Sequence, residues 1–202
     1  MKNKLFIGLV LLLVSHTAIV AQNRIKAIKA GKLIDVINGT VLSDQVIIID
    51  SNVITYVGAA IVIPQGAEVI DLSNSTVLPG LMDCHTHLSQ EPSGDYYADI
   101  FRKTPIDYAV QAPVFTKRTL MAGFTTCRDL GSDALIDVSL RDAINKGIIE
   151  GPRMRVACFT LGATGGHCDL TGFNPDLKKH SNPDFTGVAD GVDEIRRRVR
   201  NN

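Results

Sequence analysis

The fold assignment starts from the stretch Val77–Leu88, which reads VLPGLMDCHTHL. It is a short apolar segment that ends in a His-x-His pair, His85 and His87. Successive side chains of a β-strand point to opposite faces, so the two imidazoles share one face and lie about 6–7 Å apart along the strand. Asp83 has the same parity. Two adjacent imidazoles at a strand end are typical of half a zinc-type site, although an isolated His-x-His also occurs as two unrelated loop histidines.

Residues 1–21 have the pattern of a secretory signal peptide. Lys2 and Lys4 precede the apolar run Leu5–Val14, and a small-residue segment ends at Ala21. A basic start, an apolar core too short to span a bilayer and a small exit residue are typical of export signals. We expect cleavage after Ala21 and an exported protein, periplasmic or secreted. The alternative is an uncleaved N-terminal membrane anchor.

Composition and charge narrow the class of protein. The 202 residues are 45% hydrophobic and 21% charged, which is ordinary for a globular chain with one or two domains. Lysine plus arginine and aspartate plus glutamate each number 21, and removal of residues 1–21 leaves a net charge of about −2. The only dense basic cluster, 196–200, lies on a predicted helix. Its charge is that of a solvated helix face, so we expect no nucleic-acid partner.

The four cysteines do not form a metal-binding pattern. Cys84, Cys127, Cys158 and Cys168 include no Cys-x-x-Cys pair, and three of them lie in apolar, strand-like runs. Export permits disulfides, and four cysteines allow three pairings. We expect buried thiols rather than disulfides or zinc ligands.

Residues 22–76 form the first part of the mature chain. Short β-type runs alternate there with turn signals such as Asn38-Gly39, and no helical period appears. This pattern predicts a small β-sandwich or open barrel. The predicted strands are Lys32–Asp35, Val46–Ile49, Val53–Val57 and Glu68–Asp71.

In residues 77–202, strands alternate with helical stretches, which predicts a parallel sheet of the α/β class. After the His pair we expect a polar loop, a helix, a strand, a second helix, a third strand and a last helix. Thr104-Pro105 is typical of a helix start, and Pro113 predicts a break or kink within that helix. Asp190 is the candidate cap of the last helix. The predicted elements are the loop Ser89–Lys103, the helices 104–121, Ala134–Lys146 and 190–200, and the strands Phe124–Asp129 and Met154–Thr160.

Together these segments resemble the metal-dependent amidohydrolase superfamily, in particular its imidazolonepropionase-like and Xaa-Pro dipeptidase-like subgroup. The matching pieces are VLPGLMDCHTHL at 77–88, GFTTCRDLG at 123–131, GPRMRV at 151–156 and TGGH at 164–167. The resemblance runs from about Gly31 to the end of the chain. It implies a (β/α)₈ TIM-like barrel preceded by a β-sandwich segment, with chemistry at the C-terminal ends of the barrel strands.

The resemblance also implies the site residues. His85 and His87 stand at the end of the first barrel strand, where the family places two metal ligands, and the expected cofactor is a divalent metal, zinc by default. The family completes this site with a lysine, two histidines and an aspartate from later strands. No residue here matches them, because residues 77–202 are roughly half of the about 250 residues typical of the fold. We therefore expect an incomplete barrel with no catalytic residue in the chain as given.

Several other residues remain open between two roles. We assign substrate binding to His167, with an ordinary loop histidine as the alternative, and Asp83 either orients a ligand histidine or caps its turn. Arg128-Asp129 is expected to form an ion pair that holds neighbouring loops, with substrate contact as the alternative. Tyr96 and Tyr97 either line a substrate mouth or pack within their loop. His180 is expected to be solvated.

The resemblance implies a hydrolase acting on C–N amide bonds of dipeptides or N-acyl amino acids through a metal-activated water. We expect the chain to be truncated and inactive alone, since two histidines leave a zinc site short of ligands. A small molecule or dipeptide is the expected partner, with no stable membrane association after signal removal. The alternative is a non-catalytic exported remnant or binding module that keeps the scaffold.

Overall fold

The structure, a computed structural model, describes residues 25–91, 94–169 and 187–201 without the side chains of Tyr96, Tyr97 and Asn201. The chain divides into two compact units, Met1–Pro79 and Gly80–Asn202. The predicted signal peptide, His180 and the expected tyrosine contacts lie outside the described residues. Among the described residues, no helix is long and apolar enough to cross a membrane.

The first unit contains one four-stranded sheet. Its strands are β1 (Ile25–Asp35), β2 (Thr40–Asp50), β3 (Val53–Ala59) and β4 (Glu68–Val77). The order is β3-β2-β1-β4, with antiparallel pairing between β1 and β2 and between β2 and β3, and parallel pairing between β1 and β4. All four predicted strands are confirmed but are longer than expected. The described residues form a single sheet here and not the two packed sheets of a sandwich.

At Gly31 the backbone of β4 leaves no room for a side chain on β1. The pairing register of these strands shifts between Ala30 and Lys32. A Cβ atom on Gly31 would lie 1.9 Å from the backbone oxygen of Ser73 in β4. Any side chain at this position therefore separates the two strands.

The second unit is a three-stranded parallel sheet with helices between its strands. The strands are β5 (Leu81–Thr86), β6 (Phe124–Asp129) and β7 (Arg153–Val156), in that order across the sheet. The helices are α1 (Tyr96–Arg102), α2 (Pro105–Met121), α3 (Ile136–Asn145) and α4 (Val192–Asn201), and a short 3₁₀ turn at Asp133–Leu135 precedes α3. The expected mixed α/β class is confirmed.

The start of α2 is built as predicted. The Thr104 hydroxyl accepts the Asp107 N–H at 3.4 Å, and the Asp107 carboxylate accepts the Thr104 N–H at 2.7 Å, which forms a capping box. Of the break or kink predicted at Pro113, the break does not occur, because α2 continues through this residue. The Thr116 hydroxyl, one turn later, lies 3.0 Å from both the Pro113 and the Glu150 carbonyl oxygens.

Three further local predictions are wrong. The expected loop Ser89–Lys103 contains α1, whose N-cap Asp95 accepts the Ala98 N–H at 3.1 Å. The third strand ends at Val156, since Cys158 has a positive φ of 63°. Asp190 does not use its carboxylate to cap α4; the carboxylate accepts from the backbone N–H and hydroxyl of Thr164.

The core of the second unit lies between its sheet and α2 and α3. Its buried members are Leu88, Ala112, Cys127, Ile136, Leu140 and Met154. None of the four cysteines, all within the described residues, is in a disulfide. Cys127 and Cys158 are buried, as expected, whereas Cys84 is exposed. Burial and the nearby Asp83 carboxylate raise the pKa of the Cys127 thiol to about 11.

Candidate metal centre

The His-x-His pair lies at the C-terminal end of β5. His85 is exposed and His87 is half-buried. Their ring centroids are 5.4 Å apart, with an angle of 67° between the ring planes. The structure therefore brings the two imidazoles together, as the spacing of the two residues predicts.

The hydrogen bond of His87 determines which of its ring nitrogens is available. His87 Nδ1 lies 2.9 Å from the carbonyl oxygen of Gly131, in the loop after β6. Because a carbonyl oxygen only accepts, Nδ1 carries the proton and donates it. Nε2 then has its lone pair available for a ligand. A metal-binding histidine typically uses its second ring nitrogen in this way.

The pair fits a divalent metal as half of a donor set. A Zn–N distance of about 2.0–2.1 Å places the ring centroids of two imidazoles on one tetrahedral ion about 5 Å apart, close to the separation of His85 and His87. Within residues 25–91, 94–169 and 187–201, no three histidine, cysteine, aspartate or glutamate side chains form a metal-type group. The described residues supply two nitrogen donors, and a closed site needs further ligands.

Asp83 contacts the backbone of the His pair. Its carboxylate accepts the His85 N–H at 2.9 Å. Of the two roles considered for Asp83, this contact is the turn cap. It fixes the backbone at the point where β5 presents the first histidine.

Asp129, at the end of β6, has backbone partners that the sequence did not reveal. Its side chain is 0% exposed, and its carboxylate accepts the Leu88 N–H at 2.7 Å and the Gly131 N–H at 3.3 Å. Burial raises the pKa of the Asp129 carboxyl, while these two N–H donors oppose the shift. Asp129 holds neighbouring loops together, as predicted, but through backbone N–H groups. The expected ion pair is not formed, since Asp129 has no salt bridge among the described residues.

Asp137 forms a similar contact at the next strand end. It is 0% exposed, lies in the first turn of α3 and accepts the Cys158 N–H at 2.9 Å. The Ser132 hydroxyl and the Val138 N–H each donate to the same carboxylate at 2.8 Å. This carboxylate joins the loop after β6 to the segment after β7.

His167 is exposed in the loop that follows β7. The loop is held by Asp190, which accepts the Thr164 N–H at 3.0 Å, and by Asp169, which accepts the Gly165 N–H at 2.9 Å. In the part of the chain that the structure describes, His167 does not join the His pair in a group of three ligand-type side chains. Its assignment to substrate binding stays a prediction.

Comparison with known proteins identifies the family. The sequence model of the Amidohydrolase family matches residues 76–201, which include the His pair and the second unit from β5 to α4. The chain belongs to the amidohydrolase family. This amidohydrolase-family chain is 29% identical to ochratoxinase from Aspergillus niger over 198 residues, covering 89% of this chain and 40% of that protein.

Solved structures agree with this assignment. A Xaa-Pro dipeptidase with methionine bound in its active site superposes with a TM-score of 0.77 at 37% identity, covering 87% of this chain and 44% of that chain. A prolidase in complex with N-methylphosphonate-L-proline gives a TM-score of 0.71 at 29% identity, covering 88% and 43%. The chain thus spans about two fifths of the length of the relatives it matches. The predicted resemblance to amidohydrolases with Xaa-Pro dipeptidase-like members is confirmed.

Proposed function

We propose that the protein is a metal-dependent amidohydrolase that cleaves C–N amide bonds in dipeptides or N-acyl amino acids. The observation that carries the proposal is the His85–His87 pair. His87 Nδ1–H donates a hydrogen bond to the Gly131 carbonyl oxygen, so the Nε2 lone pair is available for a metal. The substrate class is supported by the similarity to a Xaa-Pro dipeptidase and to a prolidase. Hydrolase activity in general is supported by the match to the Amidohydrolase family and by the similarity to ochratoxinase and to a Xaa-Pro dipeptidase.

His85 and His87 would hold the metal, with zinc as the expected ion. When bound, a divalent metal supplies a Lewis acid that polarises the amide carbonyl and activates the attacking water. Asp83 fixes the backbone of His85 through its N–H, and Gly131 fixes the ring of His87. The remaining ligands and the residues that handle the proton belong, on this proposal, to parts of the fold outside the described residues.

The architecture proposed for the second unit is the first three βα units of a (β/α)₈ barrel. Its support is a parallel sheet in the order β5-β6-β7 with helices between the strands, and a His pair at a C-terminal strand end. Active sites of such barrels lie at that end. The four-stranded sheet of the first unit is proposed as part of the accompanying β-sandwich.

Export is part of the proposal and rests on residues 1–21, with their basic start and short apolar core. The expected partner is then a small molecule or dipeptide outside the cytoplasm. N-terminal sequencing of the protein from its native source should begin after Ala21. A mature protein that retains Met1 contradicts this part of the proposal.

The test of the function uses the protein isolated from its native source. Bound metal is measured in the wild type and in a His85→Ala/His87→Ala variant, and hydrolysis of Xaa-Pro dipeptides and N-acyl amino acids is followed with each. We expect metal and hydrolysis both to fall to background in the variant. Unchanged metal content contradicts the ligand assignment.

His167→Ala is the matched control, since it removes an exposed imidazole from a neighbouring loop. We expect it to retain the bound metal and to raise KM. The rival function, a non-catalytic exported binding module, is favoured if the wild type binds metal and dipeptide but hydrolyses neither substrate class.

A further inference from the structure

A short path of hydrogen bonds joins Asp129 to the ring of His87. The Asp129 carboxylate accepts the Gly131 N–H, and the carbonyl oxygen of Gly131 accepts from His87 Nδ1. The other carboxylate oxygen accepts the N–H of Leu88, the residue after His87. One buried side chain therefore holds the backbone on both sides of the contact between His87 and Gly131.

The same loop is fixed to β5 by backbone contacts. The Leu130 N–H donates to the Thr86 carbonyl oxygen at 3.0 Å. The bonds of Leu130 and Asp129 thus attach the loop to the residues immediately before and after His87. The Gly131 carbonyl shares a peptide unit with the Ser132 N–H, which donates to the Cys158 carbonyl oxygen at 2.8 Å and so holds this unit from the side of β7.

The segment after β7 closes the loop from its other side. Gly131 has a φ of 134°, and a Cβ atom there would lie 2.7 Å from Thr160 Oγ1 and 2.9 Å from the Thr160 nitrogen. A residue with a side chain can neither adopt this backbone conformation easily nor fit beside Thr160. The ends of three strands therefore enclose Gly131, whose carbonyl oxygen accepts the hydrogen bond from His87 Nδ1.

We propose that Asp129 is a positioning residue for His87: by holding the Leu88 and Gly131 N–H groups, it keeps the His87 ring against the Gly131 carbonyl, selects the Nδ1–H tautomer and leaves Nε2 available as a metal ligand. The tautomer selection stands on the contacts above, and only the consequence for metal binding rests on the proposed function. Asp129 does not itself contact the metal. Its effect passes through the backbone that it holds and the carbonyl that the His87 ring contacts, as is usual for groups that orient metal-binding histidines.

The test compares Asp129→Asn with Asp137→Asn in the full protein. Both variants replace a 0% exposed carboxylate that accepts backbone N–H groups from its own loop and from a neighbouring strand end. An amide of the same shape accepts at its oxygen but presents N–H groups at its other end, so one backbone donor faces another donor. Asp129 bonds directly to the backbone on both sides of the contact between His87 and Gly131, whereas Asp137 reaches the Gly131–Ser132 peptide unit only indirectly, through the Ser132 hydroxyl and the Cys158 backbone.

The first readout is the tautomer of His87 in the metal-free protein, from ¹⁵N chemical shifts above pH 8, where imidazole is neutral. We expect Nδ1–H in the wild type and in Asp137→Asn, and a mixture with Nε2–H in Asp129→Asn. The second readout is Zn²⁺ affinity by competition with a chromophoric chelator. We expect a loss of about 10–100-fold in Asp129→Asn and less than about threefold in Asp137→Asn.

Equal tautomer populations in the wild type and both variants overturn the inference. Equal losses of Zn²⁺ affinity in both variants also overturn it, because they indicate general loosening of the strand ends. A wild type that binds no Zn²⁺ contradicts the metal assignment under the proposed function. The tautomer comparison still decides the role of Asp129 in that case, since it is made without metal.

Discussion

The loops closed by Asp129 and Asp137 are built alike but serve different neighbours. Each contains a fully buried carboxylate that accepts one local backbone N–H and one from a neighbouring strand end. The Asp129 loop ends against the ring of His87, whereas the Asp137 loop ends against the backbone of Cys158. Burial and hydrogen bonding alone therefore do not distinguish a functional carboxylate from a structural one. The distinction depends on the group that contacts the backbone held by the carboxylate, which is the His87 ring for Asp129 and the Cys158 backbone for Asp137.

The two carboxylates also differ in electrostatic support. Asp137 lies in the first turn of α3, where the helix dipole favours a negative charge, and it accepts three donors. Asp129 lies at a strand end with two backbone donors, and burial raises the pKa of its carboxyl. We infer that Asp137 contributes more to stability and Asp129 more to the position of the His87 ring.

The largest expected effect is on stability in alanine variants of the metal-free protein. Asp137→Ala leaves three hydrogen-bond donors without their acceptor, and Asp129→Ala leaves two. Each buried donor without an acceptor costs about 1–3 kcal/mol of stability. We expect Asp137→Ala to lower the free energy of unfolding by about 3 kcal/mol or more, and Asp129→Ala by about 2 kcal/mol. Urea denaturation measures both. The reverse order contradicts the division of roles between the two loops.

Gly131→Ala perturbs the loop after β6, which contacts His87, without removing a charge. The new methyl group meets Thr160 and holds a φ that disfavours side chains, so we expect a loss of about 1–3 kcal/mol in unfolding free energy. Gly147→Ala is the matched control, because Gly147 has a φ of 69° with nothing within 4 Å of the added atom. It should cost about 1 kcal/mol and leave Zn²⁺ affinity unchanged. A Gly131→Ala variant with wild-type Zn²⁺ affinity breaks the link between loop and ligand.

Buried cysteines report on the two loops separately. Cys127 lies two residues before Asp129, and the Cys158 N–H donates directly to Asp137. We expect Asp137→Asn to raise the rate of Cys158 alkylation about tenfold and to leave the rate at Cys127 unchanged. A loss of about 1.4 kcal/mol in the stability of one loop raises the population of its open state about tenfold. Exposed Cys84 is the internal reference and should react at one rate throughout. Equal acceleration at Cys127 and Cys158 indicates that the loops open together.

The smallest expected effect is a pH dependence that comes from Asp129. Its carboxyl has a folded pKa above the ordinary value, so the folded state holds this proton more tightly than the unfolded state. The stability of the metal-free wild type relative to Asp129→Asn should fall as the pH rises from 3.8 through the raised folded pKa, and then level off. Denaturant titrations at several pH values measure the difference. A rise with pH means that the N–H donors outweigh burial.

The elements recognised from sequence are those with local signals. Thr104-Pro105 marks the start of α2 because the cap and the proline act within one turn, and 124–129 is predicted with its observed bounds. The His pair is also local, since strand parity alone places both imidazoles on one side. Helix α1 had the local signal of an Asp95 cap and was missed because Pro92 and Gly94, just before it, favour a loop.

The rest depends on contacts between residues far apart in sequence. Asp129 meets Leu88 over 41 residues, and His87 meets Gly131 over 44. The apolar run after Arg153 predicts a longer strand than β7, but Asp137 and Ser132 bind the backbone of Cys158 and turn the chain away. The sequence Asp129-Leu130-Gly131 at the end of β6 was the only sequence sign of the loop that contacts His87, and it does not reveal that contact.

The parallel pairing of β1 with β4 has a consequence for the order of folding. β1, β2 and β3 pair with strands that are adjacent in sequence, whereas the pairing of β1 with β4 brings together residues as far apart as Lys26 and Glu68. Closing so long a loop is slow, so the antiparallel meander forms first and β4 docks last. During synthesis one edge of β1 stays unpaired until β4 leaves the ribosome, and an unpaired edge invites association with other chains. The absence of a side chain at Gly31 lets β4 pair with this edge of β1, which ends the period in which the edge is open to other chains.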